Sequence, residues 1–237
     1  MDLLKELEGA KRIGITGHVR PDGDCVGSCL ALLHYLEICM PDAETEVFLE
    51  DPGRSFAHIK ERDRLICDFP DRDVFDVFIV CDTTGSKERI GEAWKYFEPA
   101  TKTINIDHHI SNKDGSAMVN HVCPKISSCA EVLYDLMDES RVDAVIAELI
   151  YMGMAHDTGV FRFSNTSQRT MEIAGKLISY GFRAEGPSLR ADRDFEAAAP
   201  LHALHHGGDL PGHPPRGRGA DRGGVSAVSP GALLHGG

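Results

Sequence analysis

Residues 12–24 read Arg-Ile-Gly-Ile-Thr-Gly-His-Val-Arg-Pro-Asp-Gly-Asp, an apolar strand that ends at Gly17 and delivers His18, Asp22 and Asp24 to the loop behind it. From Asp24 or Cys25 to about Cys39, the residues Val26, Cys29, Leu30, Leu33 and Leu36 keep helical spacing, and Pro41 stops the run. The loop is therefore a strand-to-helix turn. It carries one imidazole and two carboxylates within seven residues, which is half of a metal site.

The same arrangement recurs along the chain. Val77 to Cys81 is a continuous apolar run, the pattern of a strand buried on both faces, and it exits at Asp82. Thr103 to Ile106 is another strand and runs into Asp107-His108-His109. A helix from Val142 to about Ala155, apolar over most of its surface, ends at His156-Asp157. Between these the spacing predicts a helix over 2–10, a strand from Glu46 to Glu50, a helix from Arg54 to about Ile66, a helix from Lys87 to Phe97 and an edge strand from Ala117 to Val122. Ser128 with Glu131 has capping-box spacing for a helix through Met137. Phe161-Arg162-Phe163 reads as a short strand, and Ser167 caps a helix through Ile178 that Gly181 ends. Alternating strands and helices predict an α/β fold, an open, mainly parallel sheet with helices on both faces. Its ligand crevice lies outside the carboxyl ends of the strands, where His18, Asp82 and Asp107 fall.

Composition separates residues 1–182 from 183–237. The second stretch has no Lys, Ile, Asn, Gln, Thr, Tyr, Trp, Met or Cys, yet holds 11 of the 24 Gly and six of the 12 Pro. It reads as a low-complexity, disordered or frameshifted tail, and the cluster of histidines 202, 205, 206 and 213 within it as incidental. The net charge of -12 leaves no basic stripe for long duplex nucleic acid, although bound cations would still admit a small anionic substrate. Seven cysteines without a CxxC pair, no membrane-length apolar run and no leader-like start predict a soluble cytoplasmic protein with reduced thiols.

Each polar piece has a plainer reading taken singly. An Asp-rich turn is commonly a helix cap, Asp82 alone a helix N-cap, and paired histidines a surface accident. Four such pieces, all at element ends, favour a shared site. His18, Asp22, Asp24, Asp82, His108 and Asp157 are too many ligands for one ion and suit two ions sharing a carboxylate, with imidazole shifting the preference toward Mn, Fe or Zn. His156 is a neighbour of that set, whereas His34, His58 and His121 have no acidic neighbours in sequence and read as packing or surface residues.

Four stretches, His18 to Ser28 (HVRPDGDCVGS), Val80 to Thr83 (VCDT), Asn105 to Asn112 (NIDHHISN) and Gly153 to Phe161 (GMAHDTGVF), together resemble the motifs of the DHH phosphoesterase family. The wording is similar to its bacterial nanoRNase and pAp-phosphatase group, which trims very short oligonucleotides, including pApA, and dephosphorylates 3′-phosphoadenosine 5′-phosphate (pAp). The resemblance implies two divalent ions, Mn first and Mg second. His18 and Asp22 would hold one, Asp24, His108 and Asp157 the other, and Asp82 would bridge. It also implies that Asp107 orients its neighbour, and that His109 meets the scissile phosphate or the leaving oxygen, with Asn112 beside it at the substrate. A homodimer is compatible with it.

Two departures stand out. Family members carry a second domain with a GGGH-type motif, which nothing after Gly181 matches, and Arg20 stands where Asn is frequent. The resemblance therefore points to a phosphoesterase lacking its substrate-gripping domain. The related manganese pyrophosphatases, and a metal-binding fragment with little turnover, are the alternatives.

Overall fold

A computed structural model describes residues 1–112 and 115–182; the low-complexity stretch 183–237 and its histidines lie outside them. Six strands, β1 (Arg12–Thr16), β2 (Glu44–Phe48), β3 (Leu65–Ile66), β4 (Val77–Cys81), β5 (Lys102–Asp107) and β6 (Val119–Val122), form one sheet in the order β3-β2-β1-β4-β5-β6. Every pairing is parallel, with Ile15 opposite both Val47 and Ile79, and Ile79 opposite Ile104. The order reverses between β1 and β4, so the loops leaving these two neighbours diverge and open a crevice at their carboxyl ends.

The helices are α1 (Leu3–Glu6), α2 (Gly23–Cys39), α3 (Lys87–Ile90), α4 (Trp94–Phe97), α5 (Cys129–Leu136), α6 (Ala144–Asp157) and α7 (Gln168–Ile178). Period-two alternation sorts the strands between two cores. Val77, Ile79 and Cys81 join the core that contains residues of α2, α5, α6 and α7, while Phe78 and Val80 join an aromatic core with Phe48, Phe75, Tyr96 and Phe97. All five residues of β4 are buried, which is why that stretch reads as an unbroken apolar run.

Two glycines let α6 approach its neighbours. A Cβ at Gly27 would lie 2.5 Å from the Leu149 carbonyl oxygen, and one at Gly153 would lie 2.6 Å from the Ala130 Cβ and 2.7 Å from an Asp24 oxygen. The ends of the helices are held by side chains. Asp22 accepts from the Asp24 and Cys25 amides at the start of α2, and Asp143 accepts from Val145 and Ile146 at the start of α6.

Several expected elements differ. The N-terminal helix is only α1, and Arg54 to Ile66 forms two 3₁₀ turns and β3 instead of a helix. That stretch has weak apolar periodicity, and Arg62 and Arg64 pair out to Asp51 and Glu37. The helix over 87–97 is broken into α3 and α4 at Gly91, whose φ is 55°. Phe161 to Phe163 is not a strand: Gly159, Val160 and Phe161 have φ of 55°, 56° and 62°, a left-handed turn incompatible with extended backbone. Thr158 fastens that turn, its hydroxyl donating to Met154 O and accepting from the Phe161 amide. At α5, Ser128 caps the Glu131 amide, but the Glu131 carboxylate accepts from Ser127 and Thr170, so the box is not reciprocated there. The reciprocal box occurs at α7, between Ser167 and Thr170. No helix of the described residues is long and apolar enough to cross a membrane.

Candidate metal centre

The turn after β1 presents His18. Its Nδ1 donates to the Val19 carbonyl at 2.9 Å, which turns Nε2 toward Asp82 Oδ2 at 3.4 Å and Asp22 Oδ1 at 3.6 Å. Asp82 follows β4 in a left-handed conformation, φ 60°, a strained position that Asp tolerates better than most residues. Its amide donates to Ile106 O at 3.0 Å, tying the end of β4 to β5. β5 then delivers His108, whose Nε2 lies 3.4 Å from Asp82 Oδ1, 3.0 Å from Asp157 Oδ2 and 3.8 Å from Asp24 Oδ2. Asp157 comes from the last residue of α6, and Asp24 from the first turn of α2.

The structure thus brings together all six residues expected to ligate, and divides them around Asp82. His18 and Asp22 lie on its Oδ2 side, and His108, with Asp157 and Asp24 beyond it, on its Oδ1 side. Asp24 is fully buried and also accepts from the Cys129 amide at 2.6 Å, the Ala130 amide at 2.9 Å and the Ser28 hydroxyl at 3.2 Å. It therefore anchors the start of α5 as well as facing the centre.

Asp107 is buried and turned inward. Oδ1 accepts from the His108 amide (2.8 Å), the His109 amide (3.2 Å) and His109 Nδ1 (2.8 Å), and Oδ2 accepts from Asn112 Nδ2 (2.8 Å). Asn112 is buried too and donates a second time to Asn105 Oδ1 at 2.7 Å, so the structure places its amide within the scaffold. His109 keeps 41% of its side chain exposed at the face of the site.

Crowded charge moves the titrations. Burial opposes a charged His18 ring, but Cys25 and the Asp22 and Asp82 carboxylates outweigh it and push it up to about 12. Burial likewise opposes a charged His108, and Asp157, Asp82 and Asp24 push it up to about 12. Burial raises Asp24 well above the carboxylate range, and Asp82 and Asp157 add to it. Asp107 is lowered despite its burial, because hydrogen bonds from His109 and Asn112 favour its anion.

Two atoms test whether a cation fits. Asp82 Oδ1 and His108 Nε2 are buried and, although they lie 3.4 Å apart with Asp157 Oδ2 3.0 Å from the imidazole nitrogen, neither makes a well-aligned hydrogen bond among the described residues. Buried polar atoms are normally bonded, and a cation between carboxylate and imidazole would satisfy both. Oxygen and nitrogen donors suit a divalent ion of the harder or intermediate type.

Sequence reasoning missed two contributors, Asn105 and Cys25, and left a third, His156, as a mere neighbour of the set. Asn105 is fully buried in β5, and its Nδ2 donates to Thr83 O at 2.5 Å and Val80 O at 3.2 Å, locking the turn that carries Asp82. A polar residue inside an apolar strand was the available signal. Cys25 stands with His18 and Asp82, their ligand atoms within 4.8 Å of one another. His156 lies between two ligands, its Nδ1 3.7 Å from Asp157 Oδ1 and 4.0 Å from Asp22 Oδ1. His34, expected to lack an acid, has one from a distant helix, Asp143 at 3.0 Å.

A parallel sheet with a carboxylate–imidazole cluster at its switch point defines an α/β protein with a potential metal-binding site above the strand ends. Residues 12–154 match the model of the DHH family, N-terminal domain, and the chain belongs to the DHH family. It is 32% identical over 189 residues to the bifunctional oligoribonuclease and PAP phosphatase NrnA of Bacillus subtilis, covering 76% of this chain and 57% of that one. It is 30% identical to the NrnA of Thermus thermophilus, over 77% of this chain and 53% of that one. The chain thus spans about half the length of these relatives. The crystal structure of an exopolyphosphatase-related protein from Bacteroides fragilis superposes with a TM-score of 0.67 at 25% identity, covering 81% of this chain and 59% of that one.

Proposed function

We propose that residues 1–182 form a phosphoesterase domain that hydrolyses short oligonucleotides and removes the 3′-phosphate of pAp, using two divalent ions, manganese foremost. The observation that carries this reading is the placement of Asp82, whose two oxygens face His18 and His108 at the same 3.4 Å. One carboxylate can then serve two ions, with His18 and Asp22 completing one position and Asp24, His108 and Asp157 the other. Bound there, divalent ions lower the pKa of a coordinated water from about 15.7 toward about 7 and offset phosphate charge.

The chain's own groups do the rest. Asp107 fixes the His109 ring through Nδ1 and, against the cost of burial, raises its affinity for a proton. From the exposed face, that ring donates it to the leaving oxygen. Asn105 and Asn112 keep the two loops in register. The NrnA relatives are named for this pair of substrates, and the shared family supports the transfer.

The test is release of mononucleotide from pApA, and of phosphate from pAp, by the full chain in manganese, with pyrophosphate as the comparison. Turnover of the nucleotides with pyrophosphate untouched is expected. Hydrolysis of pyrophosphate alone would replace the substrate class, and tight manganese binding without any hydrolysis would make this chain a metal-binding domain only.

A further inference from the structure

Arg89 sits in α3, just past the turn that carries Asp82. Its carbonyl accepts from the Val19 amide at 2.8 Å, fastening α3 to the loop between His18 and Asp22. Its side chain is fastened as well, Nε donating at 2.9 Å to the hydroxyl of Thr83, which is 2% exposed and next in sequence to Asp82. A guanidinium has five N–H groups. Here one is used, and among the described residues no carboxylate forms an ion pair with Arg89. Arg12, Arg62, Arg64, Arg72 and Arg169 each have one within 4.0 Å, and of the described arginines without one Arg89 is the one whose side chain is tied to the residue after Asp82.

We propose that Arg89 binds the second, non-reacting phosphate of a phosphate-terminated substrate, a role that rests on the phosphoesterase reading. In a chain of net charge -12, an arginine anchored to a hydroxyl beside a cluster of aspartates is free to pair with an incoming anion. Anchoring through Nε leaves the two terminal nitrogens as a planar fork, the geometry that grips a phosphate with two parallel hydrogen bonds. pAp and pApA both carry one phosphate to be attacked and another that is not. The metal centre takes the first, and the second needs its own cation within one nucleotide's reach. Arg89 supplies it, making the site selective for doubly phosphorylated nucleotides.

The test is calorimetric titration of the full chain, in calcium, with adenosine 3′,5′-bisphosphate and with adenosine 3′-monophosphate, which keeps the reacting phosphate and lacks the other. Arg89→Ala should weaken the bisphosphate about 10- to 100-fold, the range of a hydrogen-bonded charge pair, and leave the monophosphate within about twofold. Arg89→Lys, which keeps the charge but loses the fork, should recover part of the loss, and Thr83→Val, which frees the side chain, should lose less than Arg89→Ala. Equal weakening of both ligands by Arg89→Ala, or of neither, would overturn the assignment. So would a parent that binds the two equally, and that result would leave the phosphoesterase reading standing. A parent that binds neither would defeat both.

Discussion

Asp82 Oδ1 and His108 Nε2 face each other at 3.4 Å, both buried and neither in a well-aligned hydrogen bond with a described group. Strand ends separated by 26 residues leave two polar atoms unsatisfied in one place, which folding alone does not reward. Replacing Asp82 with Ala removes the one carboxylate common to both halves of the centre. Manganese titration followed by electron paramagnetic resonance should then show loss of the paired ions and at least about tenfold weaker binding of any ion that remains. Two ions bound by Asp82→Ala as tightly as by the parent would refute the ligand assignment as a whole.

Asn105 joins the Asp82 turn to Asp107 through buried contacts. Its Nδ2 serves the Thr83 and Val80 carbonyls, and its Oδ1 takes the Asn112 amide that also serves Asp107. Asn105→Ala strands these groups without water, so denaturant unfolding should show a loss of about 2 to 4 kcal/mol. Manganese affinity should fall as well, because the Asp82 turn, at φ 60°, loses the clamp on its next residue. A variant as stable as the parent would mean that this network is not a clamp.

The sheet and the clustering of acids and histidines at its strand ends were legible because their signals are local. Val77 to Cys81 is apolar without a break because it is buried on both faces, His18 and Asp82 follow strand ends, and Asp22 and Asp24 open the next helix. What was not legible depends on tertiary partners. The run at 161–163 looks like a strand, but Thr158 and three successive left-handed residues bend it away. The family resemblance set Asn112 at the substrate, whereas its amide is buried against Asp107 and Asn105. His34 finds Asp143 across 109 residues, a pairing that no window of sequence contains.

That pairing makes a pH prediction. Burial would raise Asp143, but the Ile146 amide, the His34 ring and the Val145 amide hold it below its ordinary value of 3.8. A carboxyl lowered on folding contributes stability above its unfolded pKa and loses it as the pH falls through the folded value. Asp143→Asn keeps an acceptor at the N-cap of α6 and removes only the charge. Its Tm should lie below the parent's at about pH 6, and the gap should close toward about pH 2. A gap of constant size would show that the charge is not what Asp143 contributes.

Gly27 and Gly153 separate the packing of α6 from its chemistry. A methyl at Gly27 would sit 2.5 Å from the Leu149 carbonyl, forcing α2 and α6 apart, and one at Gly153 would press on Ala130 and, at 2.7 Å, on the Asp24 carboxylate. Overpacking of this kind costs about 1 to 3 kcal/mol, so Gly27→Ala and Gly153→Ala should both lower unfolding stability within that range. They should differ in metal binding. Asp24 holds the first turn of α5 through two amides and faces His108, so a displaced Asp24 alters one side of the centre directly. Gly153→Ala should therefore weaken manganese several-fold more than Gly27→Ala does at equal loss of stability, as measured by calorimetry on both variants below their unfolding transitions. Equal weakening would mean that helix separation, and not the placement of Asp24, is what the metal senses.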